Sequence, residues 1–247
     1  MTRRESSLMK FRVIIPARLG STRLPNKPLK EIEGKTLIQR VVEQAKKSNA
    51  DSVHVATDSK EIENHCKQLD VESLMTNSNH QTGSDRLAES CNILELNDDE
   101  LVINVQGDEP FIDPNDIDNL ANLAYLKQAN MVTLFSKLTK QEILDHNVVK
   151  LWIDLDDLVN DFSRDINHLK PKHAKKHLGI YGYTVHFLRS FVSWKQSKNE
   201  IERNLEQMRA MDNGEKIYAL ESCGKFHLGV DTEADLQEAR RLAKLIG

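Results

Sequence analysis

The chain has 247 residues, 39% of them hydrophobic, and a formal net charge of −4. That length suits one large domain or two small ones, and no apolar run reaches the ~20 residues a membrane-spanning helix needs. The charge leaves no basic surplus to track a nucleic-acid backbone, and three well-separated cysteines, Cys66, Cys91 and Cys223, suggest reduced thiols in the cytoplasm rather than a disulfide frame.

Residues 1–10 are polar and lack the apolar core of a secretory signal, so they read as an N-terminal extension. Phe11 to Ala17 is a predicted strand whose continuous Val13, Ile14 and Ile15 fit burial on both faces. A basic loop follows. A helix is expected from about Thr36, with Leu37, Ile38, Val41, Val42 and Ala45 on one stripe. Ser52 to Thr57 reads as the next strand, and Asp58 or Ser59 caps a helix striped by Ile62, Cys66 and Leu69. A short strand is expected at Val71 to Met75, a helix through Leu87, Ala88, Cys91 and Leu94, and a central strand at Leu101 to Val105. A helix near Asp116 to Leu126 and a strand at Met131 to Phe135 continue the alternation, which implies right-handed βαβ units and a parallel sheet.

The pattern changes after about residue 136. Val148 to Ile153 reads as a strand, 154–157 as a turn, and 165–176 as basic and irregular. Gly179 to Tyr183 carries strand residues between glycines. Short helices are expected near 186–192 and 200–210, then a strand at Lys216 to Leu220. Thr232 and Asp235 form a capping-box pattern before the last helix, striped by Leu236, Ala239, Leu242, Ala243 and Ile246. The fold class is therefore α/β, a mostly parallel sheet with an inserted mixed lobe at about 137–215, all within a single domain spanning 1–247.

Two segments carry candidate chemistry. Val102 to Val105 climbs toward Gln106-Gly107-Asp108-Glu109-Pro110, which puts acids at the carboxyl end of a buried strand, where open α/β sheets bind ligands. Magnesium is commonly held there by one or two carboxylates plus substrate phosphates. The loop from Pro16 to Pro28 places Arg18, Arg23 and Lys27 among Gly, Ser and Pro. It matches neither common glycine-rich phosphate loop, yet three fixed cations and free backbone N–H groups can bind an anion. A solvated basic loop is the plainer alternative. A zinc site from His168, His173 and His177 is disfavoured by the surrounding Lys170, Lys172, Lys175 and Lys176.

Here the motifs become specific. The loop Pro16-Ala17-Arg18 through Lys27 resembles the signature of nucleotide-activating sugar transferases. With Val105 to Pro110, His177-Leu178-Gly179-Ile180-Tyr181-Gly182-Tyr183, Leu205-Glu206-Gln207-Met208-Arg209 and Gly229-Val230-Asp231-Thr232, it is similar to the 3-deoxy-manno-octulosonate (Kdo) cytidylyltransferase family, from about residue 11 to the end. The resemblance implies a nucleotide-diphospho-sugar-transferase fold, CTP and a Kdo-type sugar as substrates, Mg2+, a homodimer contributed by the inserted lobe, and a cytoplasmic role in lipopolysaccharide synthesis. Neither a nucleic acid nor a membrane is an expected partner.

By resemblance, Arg18, Arg23 and Lys27 hold the CTP phosphates. Ala17, Thr82, Gly83, Ser84, Arg86 and Gln106 lie against the nucleotide. Asp108 and Asp231 hold the metal. Arg164, His177, Tyr181, Glu206 and Gln207 form the acid-sugar pocket. The match frays on the sugar side: Asp165-Ile166-Asn167 follows Arg164, Arg203 stands where an acid is common, and Lys225-Phe226-His227-Leu228 replaces a smaller stretch. Those departures suggest a modified sugar such as 8-amino-Kdo. The rivals are a cytidylyltransferase for a sialic or legionaminic acid and a scaffold that binds nucleotide without catalysis.

Overall fold

The structure is a computed structural model that describes residues 10–166 and 173–246. Residues 1–9 of the expected extension, and Asn167, His168, Lys170 and Lys172, lie outside the described residues. Eleven strands and eight α-helices are described. Strand β1 (Phe11–Pro16) pairs in parallel with β4 (Ser52–Thr57) on one side and β6 (Leu101–Asn104) on the other, and β4 pairs with β5 (Glu72–Met75). The apolar runs of β1, β4 and β6 are buried because helices cover both faces, whereas the edge strand β5 buries only Leu74.

The periodicities place the helices. Helix α1 (Leu37–Ala45) buries Leu37, Ile38, Val41, Val42 and Ala45, and Thr36 caps it by accepting from Gln39 N. Ser59 caps α2 (Lys60–Gln68), which buries Ile62 and Cys66. With α4 (Pro114–Lys127) these helices pack on one face of the sheet. Helix α3 (Gly83–Ile93) and α5 (Val185–Ser193) supply Leu87, Cys91, Phe187 and Phe191 to the other face. Helix α8 (Glu233–Ile246) makes a third cluster with Leu24, Ile32, Leu37, Phe111 and Val230. That cluster ties the basic loop and the segment before α8 to the same support.

The sheet departs from the simple parallel series. Strand β10 (Lys175–Thr184) inserts antiparallel between β6 and β7 (Met131–Ser136), giving the order β11-β7-β10-β6-β1-β4-β5, with β11 (Ile217–Glu221) parallel to β7. Thus β10, expected only at Gly179 to Tyr183, is longer and central, and the end of the stretch read as irregular is its first two residues. The short hairpin of β2 (Glu31–Ile32) and β3 (Lys35–Thr36) carried no apolar alternation long enough to read. Strand β9 (Val159–Ser163), paired with β8 (Lys150–Ile153), was also missed, because its polar residues mask the alternation. The helix expected near 200–210 divides into α6 (Lys198–Arg203) and α7 (Met208–Asp212), with Asn204 in the left-handed region at φ 52°.

Gly182 explains how β10 fits between its neighbours. A Cβ there would stand 2.7 Å from Val132 Cγ2 and 2.8 Å from Ile103 Cδ1. Gly182→Ala is expected to destabilise the protein by about 1–3 kcal/mol, as overpacked cores do. A urea midpoint equal to that of the wild type would show that the sheet accommodates the methyl group.

Candidate active site

The candidate residues converge at the carboxyl ends of β1 and β6. Past β6, Val105 N donates to Ile14 O (3.3 Å), which keeps the chain beside β1 as it turns. Gly107 is required at that turn, since a Cβ would lie 2.6 Å from the Pro16 carbonyl oxygen. Asp108 follows. Val230 N donates to Asp108 O (2.9 Å), so the segment before α8 is joined by its backbone to the segment after β6. Sequence separation hid this contact, which sets Asp231 beside Asp108.

Lys27 links the two acids. Its Nζ donates to Asp108 Oδ2 (2.7 Å) and Asp231 Oδ1 (2.9 Å), while Arg23 Nη2 stands 3.0 Å from Asp231 Oδ2. Burial alone would lower the pKa of Lys27, but Asp108 and then Asp231 outweigh it and hold the ammonium above the ordinary lysine range. Burial would raise Asp231, but Lys27 and then Arg23 bring it below the usual carboxylate range. Lys27 stays protonated and Asp231 ionised around neutral pH.

Two cavities meet at this point. The first, of about 400 Å³, is lined by Ala17, Arg18, Arg23, Lys27, Thr82, Gly83, Arg86, Gln106, Asp108 and Asp231 among others. The second, of about 490 Å³, is lined by Arg164, His177, Tyr181, Glu206 and Gln207, and it shares Gln106, Asp108 and Asp231 with the first. Gln106 is anchored between them by donating from Nε2 to Gly179 O (3.2 Å).

Two expected nucleotide contacts differ in detail. The guanidinium of Arg86 is buried and committed to Thr76 Oγ1 and to Asp58 Oδ2 (2.8 Å), so its visible work is to hold the loops around the first cavity. Ser84 is only 4% exposed and is absent from that cavity's lining; its Oγ donates to Glu206 Oε2 (2.9 Å) on the other side. Arg164 reaches the second cavity with Nη1 donating to the carbonyls of His146 and Asn147 (3.2 Å each), and the buried Lys150 donates from Nζ to the Arg164 carbonyl (2.9 Å).

In the second cavity, burial pushes His177 down to about 3, so it is neutral. Its Nε2 lies 3.0 Å from Thr133 Oγ1, whose one proton has two carbonyl acceptors, Ile180 O (2.8 Å) and Leu178 O (3.2 Å). The hydroxyl oxygen therefore accepts from Nε2–H, and Nδ1 is the acceptor of the ring. Phe162 packs edge-on to the ring, and Tyr181 is tilted against it. The expectation that Arg203 and Phe226 face the sugar is corrected. Arg203 Nη1 donates to Asp161 Oδ1 (2.5 Å) and Phe162 O (2.8 Å), and Phe226 meets Phe111; neither lines the second cavity.

Sequence reading noted Glu109 only as an acid beside Asp108 and Lys176 only as a charge opposing zinc, and placed neither in the sugar pocket; both line the second cavity. Adjacency to Asp108 and His177 was the available signal. Lys176 Nζ pairs with Glu142 Oε1 (2.6 Å). Burial, and then Asp108, push the Glu109 carboxyl up to about 7.

The site also tests whether a divalent cation suits these residues. Among the described residues no group of three or more His, Cys, Asp or Glu side chains is placed to hold one. Two carboxylates already share one cationic atom, Lys27 Nζ, and magnesium needs no more protein ligands than that when phosphates supply the rest. The donor set fits.

The cytidylyltransferase family model matches residues 12–217. A 3-deoxy-manno-octulosonate cytidylyltransferase of Idiomarina loihiensis is 43% identical, with 95% of this chain and 99% of that protein covered. Its counterpart in Pseudomonas fluorescens is also 43% identical, over 94% and 97%. The structure of a CMP:2-keto-3-deoxy-manno-octonic acid synthetase complexed with CTP superposes with a TM-score of 0.90 at 33% identity, covering 96% of this chain and all of that one. A glucose-1-phosphate thymidylyltransferase of Bacillus anthracis shares the fold alone, with a TM-score of 0.70 at 17% identity over 96% of each chain.

Lys27→Met removes the cation that the two acids share. The variant's Tm should rise on adding magnesium by at least ~2 °C more than the wild type's, about 1 kcal/mol for a chain of this size. Equal shifts would mean that the acids do not form a common cation site. Glu109 gives a second expectation. Its raised folded pKa means that the folded chain binds this proton more tightly than the unfolded chain. Its contribution is therefore most favourable below the usual 4.5 and declines as pH rises to about 7. Glu109→Gln should flatten that part of the stability profile, measured by urea unfolding without divalent ions, and an unchanged slope would contradict it.

Proposed function

We propose a reaction from one premise: the chain belongs to the 3-deoxy-manno-octulosonate cytidylyltransferase family. It is a nucleotidyltransferase that transfers CMP from CTP to the anomeric hydroxyl of Kdo, giving CMP-Kdo and pyrophosphate. The observation that carries the reading is the convergence of Asp108 and Asp231 on Lys27 where the two cavities meet.

In this reading the first cavity takes CTP. Arg18, Arg23 and Lys27 grip its phosphates, and they stabilise the charge that moves onto pyrophosphate as the bond to the α-phosphorus breaks. Ala17, Thr82, Gly83 and Gln106 shape the nucleotide side, with Arg86 bracing the loop. The second cavity takes the sugar. Arg164 offers its carboxylate a bidentate partner. The neutral His177, with Tyr181, Glu206 and Gln207, orients its hydroxyls. Gln106, Asp108 and Asp231 border both cavities, so the attacking hydroxyl and the α-phosphate meet beside the carboxylates. Mg2+ held by Asp108 and Asp231 would neutralise the α-phosphate and make the attacking hydroxyl more acidic. Once a triphosphate draws on Lys27, the two acids lose part of their counter-charge, and a second cation at the pair restores the balance.

We place the reaction in the cytoplasm, with CMP-Kdo passing to lipopolysaccharide synthesis, and we infer a homodimer through the lobe at about 137–215. No helix among the described residues is long and apolar enough to cross a membrane. Kdo is favoured over its 8-amino form, because Arg203 and Phe226, two of the departures that suggested a modified sugar, do not line the sugar cavity.

The test is pyrophosphate release from CTP and magnesium with Kdo, 8-amino-Kdo and a sialic acid in parallel. Kdo should react fastest and sialic acid should not react. Asp108→Ala should lower the rate with Kdo by at least ~10²-fold. Binding of CTP with no pyrophosphate from any sugar would instead identify a scaffold.

A further inference from the structure

We propose that Ser84, at the start of α3, is a positioning residue for the sugar: it fixes the carboxylate of Glu206 and so joins the nucleotide side of the site to the sugar side. The inference rests on the reaction proposed above and adds to it a residue that acts on one substrate from the wall of the other's cavity.

Helix α3 begins in the loop that borders the first cavity. Thr82 caps it, and Thr82 with Asp85 forms a reciprocal capping box. Thr82 and Gly83 line the first cavity, whereas Ser84 turns inward. The Ser84 Oγ donates to Glu206 Oε2 at 2.9 Å across 122 positions of sequence. The hydroxyl can donate only one proton, so this bond uses it.

Glu206 needs such support. It lies between α6 and α7, where the backbone has just passed through the left-handed Asn204. Arg209, one turn onward, is occupied by Glu200, donating from Nε (2.8 Å) and Nη2 (2.5 Å), and stands 3.7 Å from Glu206 Oε1. Oε1 is buried and has no hydrogen-bond donor among the described residues. A buried carboxylate oxygen without a donor is costly unless a bound group supplies one, and a sugar hydroxyl in the second cavity is that group. Ser84 holds one oxygen so that the other stays aimed. Burial raises the pKa of Glu206, and the Ser84 bond is the largest influence opposing it, which favours the ionised, accepting form.

A rigid first turn of α3 then carries information between cavities. A nucleotide that orders the Thr82–Gly83 backbone also orders Ser84, and with it Glu206. The reverse coupling must be equal in size, because linkage is reciprocal.

The experiment compares wild type with Ser84→Ala, Ser84→Cys and Ser84→Thr. CTP affinity is measured by calorimetry without sugar, and the KM for Kdo and kcat are measured by pyrophosphate release at saturating CTP. Ser84→Ala and Ser84→Cys should raise the KM for Kdo by about tenfold or more, with CTP affinity within about twofold and Ser84→Thr recovering most of the loss. Unchanged CTP binding also reports a folded protein, and the cysteine variant preserves volume if alanine disturbs the helix start. An unchanged KM for Kdo overturns the proposal, as does a loss of CTP affinity matching the loss for Kdo, which would assign Ser84 to the nucleotide. A wild-type protein that releases no pyrophosphate from CTP and Kdo overturns the reaction itself. An active wild type with indifferent Ser84 variants overturns only the role of Ser84.

Discussion

One ammonium group organises the charged centre of this protein. Lys27 lies 81 positions from Asp108 and 204 from Asp231, and it hydrogen-bonds both. Two carboxylates brought this close would repel each other and resist ionisation. With Lys27 between them, and Arg23 at the outer oxygen of Asp231, the cluster is stable without its substrates. The backbone enforces the same geometry through the Val230–Asp108 hydrogen bond, and the packing of α8 on Leu24 and Phe111 presses both loops toward it.

The sheet explains why a second cavity opens where it does. Because β10 runs antiparallel between β6 and β7, its Gly179 carbonyl meets Gln106 at the end of the strand that delivers Asp108. His177 and Tyr181 on that strand consequently line the cavity that Asp108 and Asp231 also border. An uninterrupted parallel sheet would have brought another turn to this edge. The inserted strand brings a wall of ring groups instead, extending from Phe162 and His177 through Tyr181 and Tyr183 to Phe187.

Much of this was legible in the sequence, for identifiable reasons. Strands such as Val13 to Ile15 and helices with strong stripes, such as α1 and α8, are local in origin, and local pattern was enough to read them. The paired motifs pointed to cavity-lining residues even where the fold was misread. What escaped was non-local. Nothing in Gly179 to Tyr183 says that the strand enters the middle of the sheet reversed. Nothing in the composition of Val159 to Ser163 reveals that polar Asp161 is matched by Arg203. Ser84 was placed on the nucleotide by resemblance, with the rest of its turn, but one residue's advance into a helix rotates a side chain by about 100° and takes it away from the first cavity that Thr82 and Gly83 line.

The departures on the sugar side follow the same logic of support. Arg203, standing where an acid is common, would be disruptive as an isolated cation beside β9. It is instead paired with Asp161 and also donates to the Phe162 carbonyl. Phe162 is fully buried and touches the ring of His177, so the pair acts on the second cavity only by fixing the strand behind it. Phe226 similarly fills the cluster beneath α8 rather than the cavity. A change in such supporting positions alters how firmly the pocket is held without altering which groups meet the ligand. For that reason sequence divergence around a binding site is weak grounds for a new substrate until the side chains have been followed to the surfaces they touch.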